Sequence, residues 1–458
     1  MKCSRAEIRY NAHALPELRF EEQQLTSFAG LIVFQSLLAR LNLPERLRQC
    51  FRGLKVSPIF GYARIVLLLV CHFLLGYRTL REMRYYADDP IVQRVVGLKR
   101  LPDVATVSRA LANVDADSVE AVQRLLRDLV LERLALLGLV TITLDFDGSV
   151  IGTGRAAEGT AVGFNRKKKG QRSYYPLFCT IAQTGQVLDV LHRSGNVHDS
   201  NGAEAFIAQC IGAVQQALPG VRIELRMDSA FFSEDIVKRL DAAGVEYTIS
   251  VPFERLSDLK SRIEKRRHWR PIGHGAACFE LSWKPKSWDR RHRFLCIRKR
   301  IKVQNKEPLQ LELFVPHLYG YELKAILTNK SLGPARLLAF HNGRGAQESV
   351  FAELKSENAL AYVPTRTWLG NRLYLLAALL AHNLAREMQM IAHPAARATM
   401  AKRPTLWRFA SLGTLRNHLL HRAGRLIRPQ GRLTRSMTAN SAVRTDLLHF
   451  LHQLSAAA

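Results

Sequence analysis

Between Val140 and Asp147 the sequence alternates strictly: Val140, Ile142, Leu144 and Phe146 are apolar, while Thr141, Thr143, Asp145 and Asp147 are polar. Successive side chains on a strand point to opposite faces, so this run predicts a strand that lays one side on a core and delivers two carboxylates on the other. After the turn GSVIGTG, Tyr175 to Ala182 and Val187 to Arg193 predict two more strands of a meander, joined at Gln183-Thr184-Gly185-Gln186. Alternation returns at Arg222 to Asp228, with Ile223, Leu225 and Met227 inward and Asp228 closing the run on its polar face. Helices are predicted from His198 to Ala217, opened by Asp199 or Ser200, and from Ser233 to Ala243, closed by Gly244 ahead of a strand from Glu246 to Val251. Strand, helix and strand in that order imply a parallel unit, and sites in such sheets form at the carboxyl ends of the strands.

Around this centre the pattern differs. Residues from about 24 to 138 carry apolar positions at helical spacing, such as Leu31, Phe34, Leu37 and Leu38, with Pro44 and Pro58 as punctuation. Within them, Leu101 to Val114 predicts a short helix capped by Asp103 or Thr106, either a DNA-reading helix or a plain packed one. From 252 to about 330 short aromatic and β-branched runs alternate with polar turns, and fourteen Lys or Arg lie between Ser261 and Asn305. Interleaved with Trp269, Trp283, Trp288 and Phe294, these cations suit backbone phosphates and stacking on unpaired bases, or form a solvated basic surface. Ala346 to Glu357 and Thr367 to Ile391 predict helices, and the stretch from Lys402 to Met437 is basic. The fold class expected is α/β: an RNase H-like catalytic core, because such a sheet requires an acidic first strand followed by hairpins, with a β-rich insertion, an all-α N-terminal domain and a helical, basic C-terminal region. The divisions are 1–138, 139–251, 252–335 for the insertion, 336–395 for the second part of the core, and 396–458.

Charge narrows the partner. The 458 residues contain 67 Lys and Arg against 39 Asp and Glu, a formal charge of +28, which self-repels unless a polyanion neutralises it. Nucleic acid is favoured over an anionic membrane. Seven cysteines are scattered without a C-x-x-C pair or a His/Cys cluster at zinc spacing, so neither a disulfide framework nor a zinc site is expected. The start lacks the apolar core of a secretory signal, and the most apolar run, Ala63 to Gly76, contains His72 and is too short to span a bilayer. A cytoplasmic, nucleoid-associated protein with no membrane partner is expected.

Phosphodiester cleavage with two metal ions needs carboxylates that converge on ions about 4 Å apart, one for the attacking and one for the leaving oxygen. Asp147 and Asp228 at strand ends and Glu348 on a helix supply three such acids, and Mg2+ is the natural ion, with Mn2+ as a substitute. Asp145 shares the face of Asp147 and competes for the first position; Glu224 competes with Asp228, or is a charge neighbour of Arg222 and Arg226. His341, Arg344, Glu348 and Lys355 are spaced by 3, 4 and 7 residues and line one face wherever the segment is helical.

The segment HNGRGAQESVFAELK resembles the Y-x2-R-x3-E-x6-K signature of the IS4 superfamily of bacterial insertion-sequence transposases, with His341 in the place of Tyr. LDFDGS and RMDSAFFS resemble the strands that bear the first two acids of that superfamily, and the chain looks most like the IS1380 family. This resemblance implies Asp147, Asp228 and Glu348 as catalytic metal ligands for two ions, and Arg344, Lys355 and His341 as DNA contacts. It implies cleavage at the terminal inverted repeats, strand transfer into target DNA by the freed 3′-hydroxyl, and a homodimer on DNA. The rival readings are an RNase H-like nuclease that cuts without joining and an inactive, transposase-derived DNA-binding protein.

Overall fold

The computed structural model describes residues 20–21, 24–54, 60–163, 168–197, 201–301, 317–318 and 320–456. Its frame is a ten-stranded sheet. The first strand is β1 (Thr141–Gly148), followed by β2 (Leu177–Ile181), β3 (Val187–Leu191), β4 (Arg222–Met227) and β5 (Glu246–Ser250). The strands β6 (Arg270–Gly273), β7 (Ala276–Trp283), β8 (His292–Arg300) and β9 (Tyr321–Thr328) come next, and His317–Leu318 pairs with β9. The order across the sheet is β6-β7-β8-β9-β5-β4-β1-β2-β3. β1, β2 and β3 run antiparallel as a meander, whereas β4 and β5 run parallel to β1.

The expected insertion is therefore no separate body: β9 pairs antiparallel with β5, and β6 to β9 continue the central sheet. The reason lies in the apolar runs of β7, β8 and β9, which share one core with β1, β4 and β5. Trp283, Trp288 and Phe294 are buried in that core, which corrects the expectation that they stack on bases.

The alternation seen in the sequence sets the layers. Ile142, Leu144 and Phe146 of β1, with Ile223, Leu225 and Met227 of β4, pack on one face against α6 (Ala116–Leu137), α7 (Ala203–Ala217) and α8 (Glu234–Ala242), and α9 (Ser257–Glu264) joins the same core. The start of α7 at Ala203, after Gly202 with φ +71°, is later than predicted, and His198, Asp199 and Ser200 lie outside the described residues. The opposite, polar face of the sheet is covered by α10 (Pro334–Asn342) and α11 (Ala346–Glu357).

The N-terminal helices α1 (Ile32–Arg40), α2 (Leu43–Cys50), α3 (Tyr62–Leu74), α4 (Pro90–Val96) and α5 (Val104–Ala112) do not stand alone. They share one apolar core with α11, with α12 (Trp368–Ala392), nearly all of whose side chains are buried, and with α13 (Ser441–Ala456). Within α12, Asn383 pairs with both backbone groups of Val187, satisfying the outer strand β3. Asp189 of β3 is salt-bridged to Arg127 of α6 at 2.8 Å. The C-terminal region returns to the start, with Gly424–Ile427 pairing with Leu25–Thr26 and with Thr434–Met437. A boundary at 138 thus separates segments of sequence and not independently packed units. Among the described residues no helix is long and apolar enough to cross a membrane.

Candidate active site

The carboxyl ends of β1 and β4 lie side by side. In their parallel register Asp145 faces Arg226 and Phe146 faces Met227, and Asp147 and Asp228 are the residues that follow on the two chains. Both are half-buried. Asp147 accepts from the Gly148 N–H at 2.8 Å, and Asp228 caps the turn after β4 by accepting from the Ala230 N–H at 2.9 Å.

Asp145 and Asp147 differ in burial. Asp145 is 1% exposed, and the Arg226 guanidinium grips both its oxygens, at 2.6 and 2.7 Å. Burial pushes its carboxyl up against the pull of Arg226. Both oxygens are committed to this fork, and no face of the group remains for an external cation. Glu224 is likewise consumed, by Lys330 at 2.7 Å and Arg403 at 2.9 Å, and its partners are not the Arg222 and Arg226 expected from sequence.

Glu348, the third acid of the sequence pattern, is carried by α11. Gln347, 2% exposed, donates through Nε2 to the backbone oxygen of Asp145 at 3.0 Å, which docks the first turn of α11 on β1. Arg344 Nη1 reaches Asp147 Oδ2 at 3.1 Å. Glu348 follows Arg344 by one helical turn and is exposed, and Lys355 lies two turns further along the same helix.

His341 does not join this face. Residues 343–345 form a 3-10 turn between α10 and α11, and the tighter winding rotates the preceding helix by roughly 60° relative to an unbroken α-helix. His341 is 1% exposed, with Nδ1 3.0 Å from Thr248 Oγ1 and Nε2 2.8 Å from Ser250 Oγ. Burial, with the nearby charges of Lys324, Arg344 and Arg226, holds its pKa well below the ordinary value. The DNA contact expected of it is corrected to a packing contact between α10 and β5.

The surroundings are cationic. Half-buried Lys324 of β9 donates to Asn342 at 3.1 Å, and its pKa is pushed down to about 8 by burial and by Arg344. Beside Asp145, Gln347 and Ser349 opens a cleft of about 320 Å³ whose walls include Arg386, Arg397 and Arg408. Sequence reasoning missed Arg226, Gln347 and Lys324; only the alternation that puts Arg226 on the face of Asp228 could have signalled the first.

By type, the donors suit a hard divalent cation, since carboxylate oxygens at neighbouring strand ends are what such ions take. Their arrangement is not a finished metal site: among the described residues no three His, Cys, Asp or Glu side chains gather as a metal-binding group, and Asp147 is engaged by Arg344.

A parallel pair of acid-tipped strands, faced by a helix bearing a third acid and flanked by cations, defines a centre built for polyanion chemistry. The family described as "Transposase DDE domain group 1" matches residues 14–458, and the chain belongs to it: it is a DDE transposase. Transposases of this class generally use divalent metal ions. A solved structure, the cryo-EM structure of the piggyBac transposase synaptic complex with hairpin DNA, is similar to the chain at a TM-score of 0.44 and 10% identity, over 82% of this chain and 78% of that one. No curated protein matches the chain.

Proposed function

We propose that this transposase cuts DNA at the ends of a bacterial insertion sequence and joins the freed ends to target DNA, with Asp147, Asp228 and Glu348 as its three acids. What supports the reading is the parallel register of β1 and β4, which runs to Phe146 beside Met227 so that Asp147 and Asp228 follow directly on the two chains, with Arg344 of the Glu348 segment touching Asp147. The order β3-β2-β1-β4-β5, with a meander on one side of β1 and parallel strands on the other, supports an RNase H-like core. Two divalent ions held by these acids, Mg2+ or in its place Mn2+, would stabilise charge on the attacking and leaving oxygens.

The chain's own groups have separable tasks. Arg344 offers a planar fork to a phosphate next to the scissile bond, and Lys355 offers a point charge further along the strand. The exposed Arg397 and Arg408 of the cleft, with the exposed Lys299 and Arg300 at the end of β8, neutralise flanking phosphates. Water, and then the 3′-hydroxyl of the cut strand, are the nucleophiles, with no covalent protein intermediate. The N-terminal helices and the basic C-terminal region read the terminal inverted repeats, and a homodimer holds two ends together.

The test is a cleavage and strand-transfer assay on DNA carrying the element ends, with Mg2+ present. Wild-type protein should release ends and join them to a target, and Asp228→Ala should bind the same DNA yet do neither. Cleavage without joining would identify a nuclease instead, and cleavage by Asp228→Ala would remove the acid from the chemistry.

A further inference from the structure

The proposed chemistry does not use Arg226, yet this side chain touches three separate parts of the candidate centre. It is wholly buried on β4, two residues before Asp228 and across from Asp145, which lies two residues before Asp147. Nε and Nη2 hold the two oxygens of Asp145, while Nη1 donates to the Phe340 carbonyl at 3.1 Å and to the Lys402 carbonyl at 2.8 Å. Phe340 lies in the last turn of α10, where the helix dipole favours a cation. The guanidinium therefore spans the acid-bearing strands, the segment that leads into Arg344 and Glu348, and the chain at Lys402.

Gly343 shows how closely the parts meet. A Cβ at this position would lie 2.0 Å from Arg226 Nη1 and 2.0 Å from the Lys402 carbonyl oxygen, so a side chain there would force this turn, Arg226 or the chain at Lys402 to shift. Gln347, the residue just before Glu348, is docked on the Asp145 backbone. The turn before α11 and the first turn of that helix are thus held to β1 and β4 by a fork on Asp145, a glycine contact on that fork and the Gln347 bond.

We infer that Arg226, held by Asp145, is a positioning residue for the reaction: it fixes the height of the Glu348 helix over the two strand-end aspartates. This inference rests on the proposed roles of the three acids. An ammonium cannot reproduce it, because one guanidinium makes four directed bonds from three nitrogens. A buried pair that only filled this part of the core would instead be replaceable by apolar residues of similar volume with turnover intact.

Two variants test it in the full-length protein. Asp145→Leu/Arg226→Met removes both charges together, and Arg226→Lys keeps a cation beside Asp145 but loses the fork. Each should fold and bind end DNA like the wild type while cleavage turnover falls by about 100-fold, the loss expected from a displacement of about 1 Å at a reacting centre. KM for DNA should not change. Because Mg2+ demands near-ideal octahedral geometry, Mn2+ should restore part of the turnover, and electron paramagnetic resonance should show weaker Mn2+ binding to the protein–DNA complex. Wild-type turnover with Mg2+ in either folded variant overturns the inference, as does failure of both to fold, which would make the pair structural. Asp228→Ala run alongside separates the levels: if it cleaves, the assignment of the acids has failed, and the role of Arg226 fails with it.

Discussion

Arg344 Nη1 lies 3.1 Å from Asp147 Oδ2, so that the turn preceding the Glu348 helix is ionically tied to the tip of the first strand. Both side chains are about one-fifth exposed, and the pair is within reach of phosphate and of cations from solution. In the proposed mechanism DNA phosphate competes for Arg344 while a metal ion competes for Asp147, so the two ligands favour each other's binding. Such coupling is reciprocal. Arg344→Gln should accordingly bind Mn2+ more tightly than the wild type without DNA, while cleaving end DNA at least ~10-fold more slowly once a phosphate contact is lost. Titration calorimetry of both proteins without DNA checks this; equal Mn2+ affinity would show that the ion pair does not restrain the acid.

Asp145 and Asp147 lie two residues apart and should respond to the same substitution in opposite ways. Asp145→Asn leaves the Arg226 charge buried and uncompensated, a loss of about 3–5 kcal/mol, with a fall in melting temperature. Asp147→Asn disturbs a partly exposed pair worth about 1 kcal/mol or less and should keep the fold while abolishing cleavage. Calorimetry and a cleavage assay on both variants distinguish them, and a stable, inactive Asp145→Asn would reverse the assignment.

Stability should fall in mild acid because several histidines are buried in the neutral form. Burial lowers His72 to about 4, His192 to about 3 and His382 to about 4. The unfolded chain binds protons on these groups near their ordinary pKa of about 6.5, before the folded chain does. Their stabilising contribution is therefore complete above about 6.5 and is lost as pH drops toward 4, at about 1.4 kcal/mol per pH unit for each group. His192 lies between Tyr174 and Trp368, each ring centroid 4.4 Å away, and neither of its nitrogens has a partner among the described residues. His192→Phe should thus fold and flatten the pH dependence of urea unfolding between pH 6.5 and 4; an unchanged slope would mean that protonation of His192 is not a source of the acid sensitivity.

Removal of residues 1–138 should unfold the protein and not merely its DNA recognition. The deleted helices share their core with α11, α12 and α13, and Arg127 and Gln123 of α6 bond to Asp189 on β3. Circular dichroism and limited proteolysis of the fragment would show this. A stable fragment with a cooperative melt would restore the picture of a separable N-terminal domain.

Much of the site could be read from the order of residues. Alternation placed Asp147 and Asp228 at strand ends on one face, and the helix Ala346 to Glu357 was predicted with the bounds observed. Less visible was what each polar group would meet. Asp145 and Asp147 are identical in chemistry and facing, and only the arrival of Arg226 on the neighbouring strand buries one and leaves the other at the open edge. His341 has the spacing of a DNA contact, but the 3-10 turn at 343–345 carries it against Thr248 and Ser250. Trp283, Trp288 and Phe294 sit among cations in sequence, yet a strand period of two sends Trp283 and Phe294 to the core, and Trp288, in the turn between their strands, stacks on Phe232.

The sequence alone determined the local periods: which runs would be strands or helices, which faces would be apolar, and where acids would end a strand. These depend on neighbours within a few residues and on rules that act along the chain. Tertiary structure decided which polar groups would be spent on one another, that β6 to β9 would extend the central sheet, and that the N-terminal helices would be part of one core. Such outcomes depend on partners 80 to 200 residues away, as in Asp145 with Arg226 and Asp147 with Arg344, and on burial, which determines whether a charge can face solvent or must be paired.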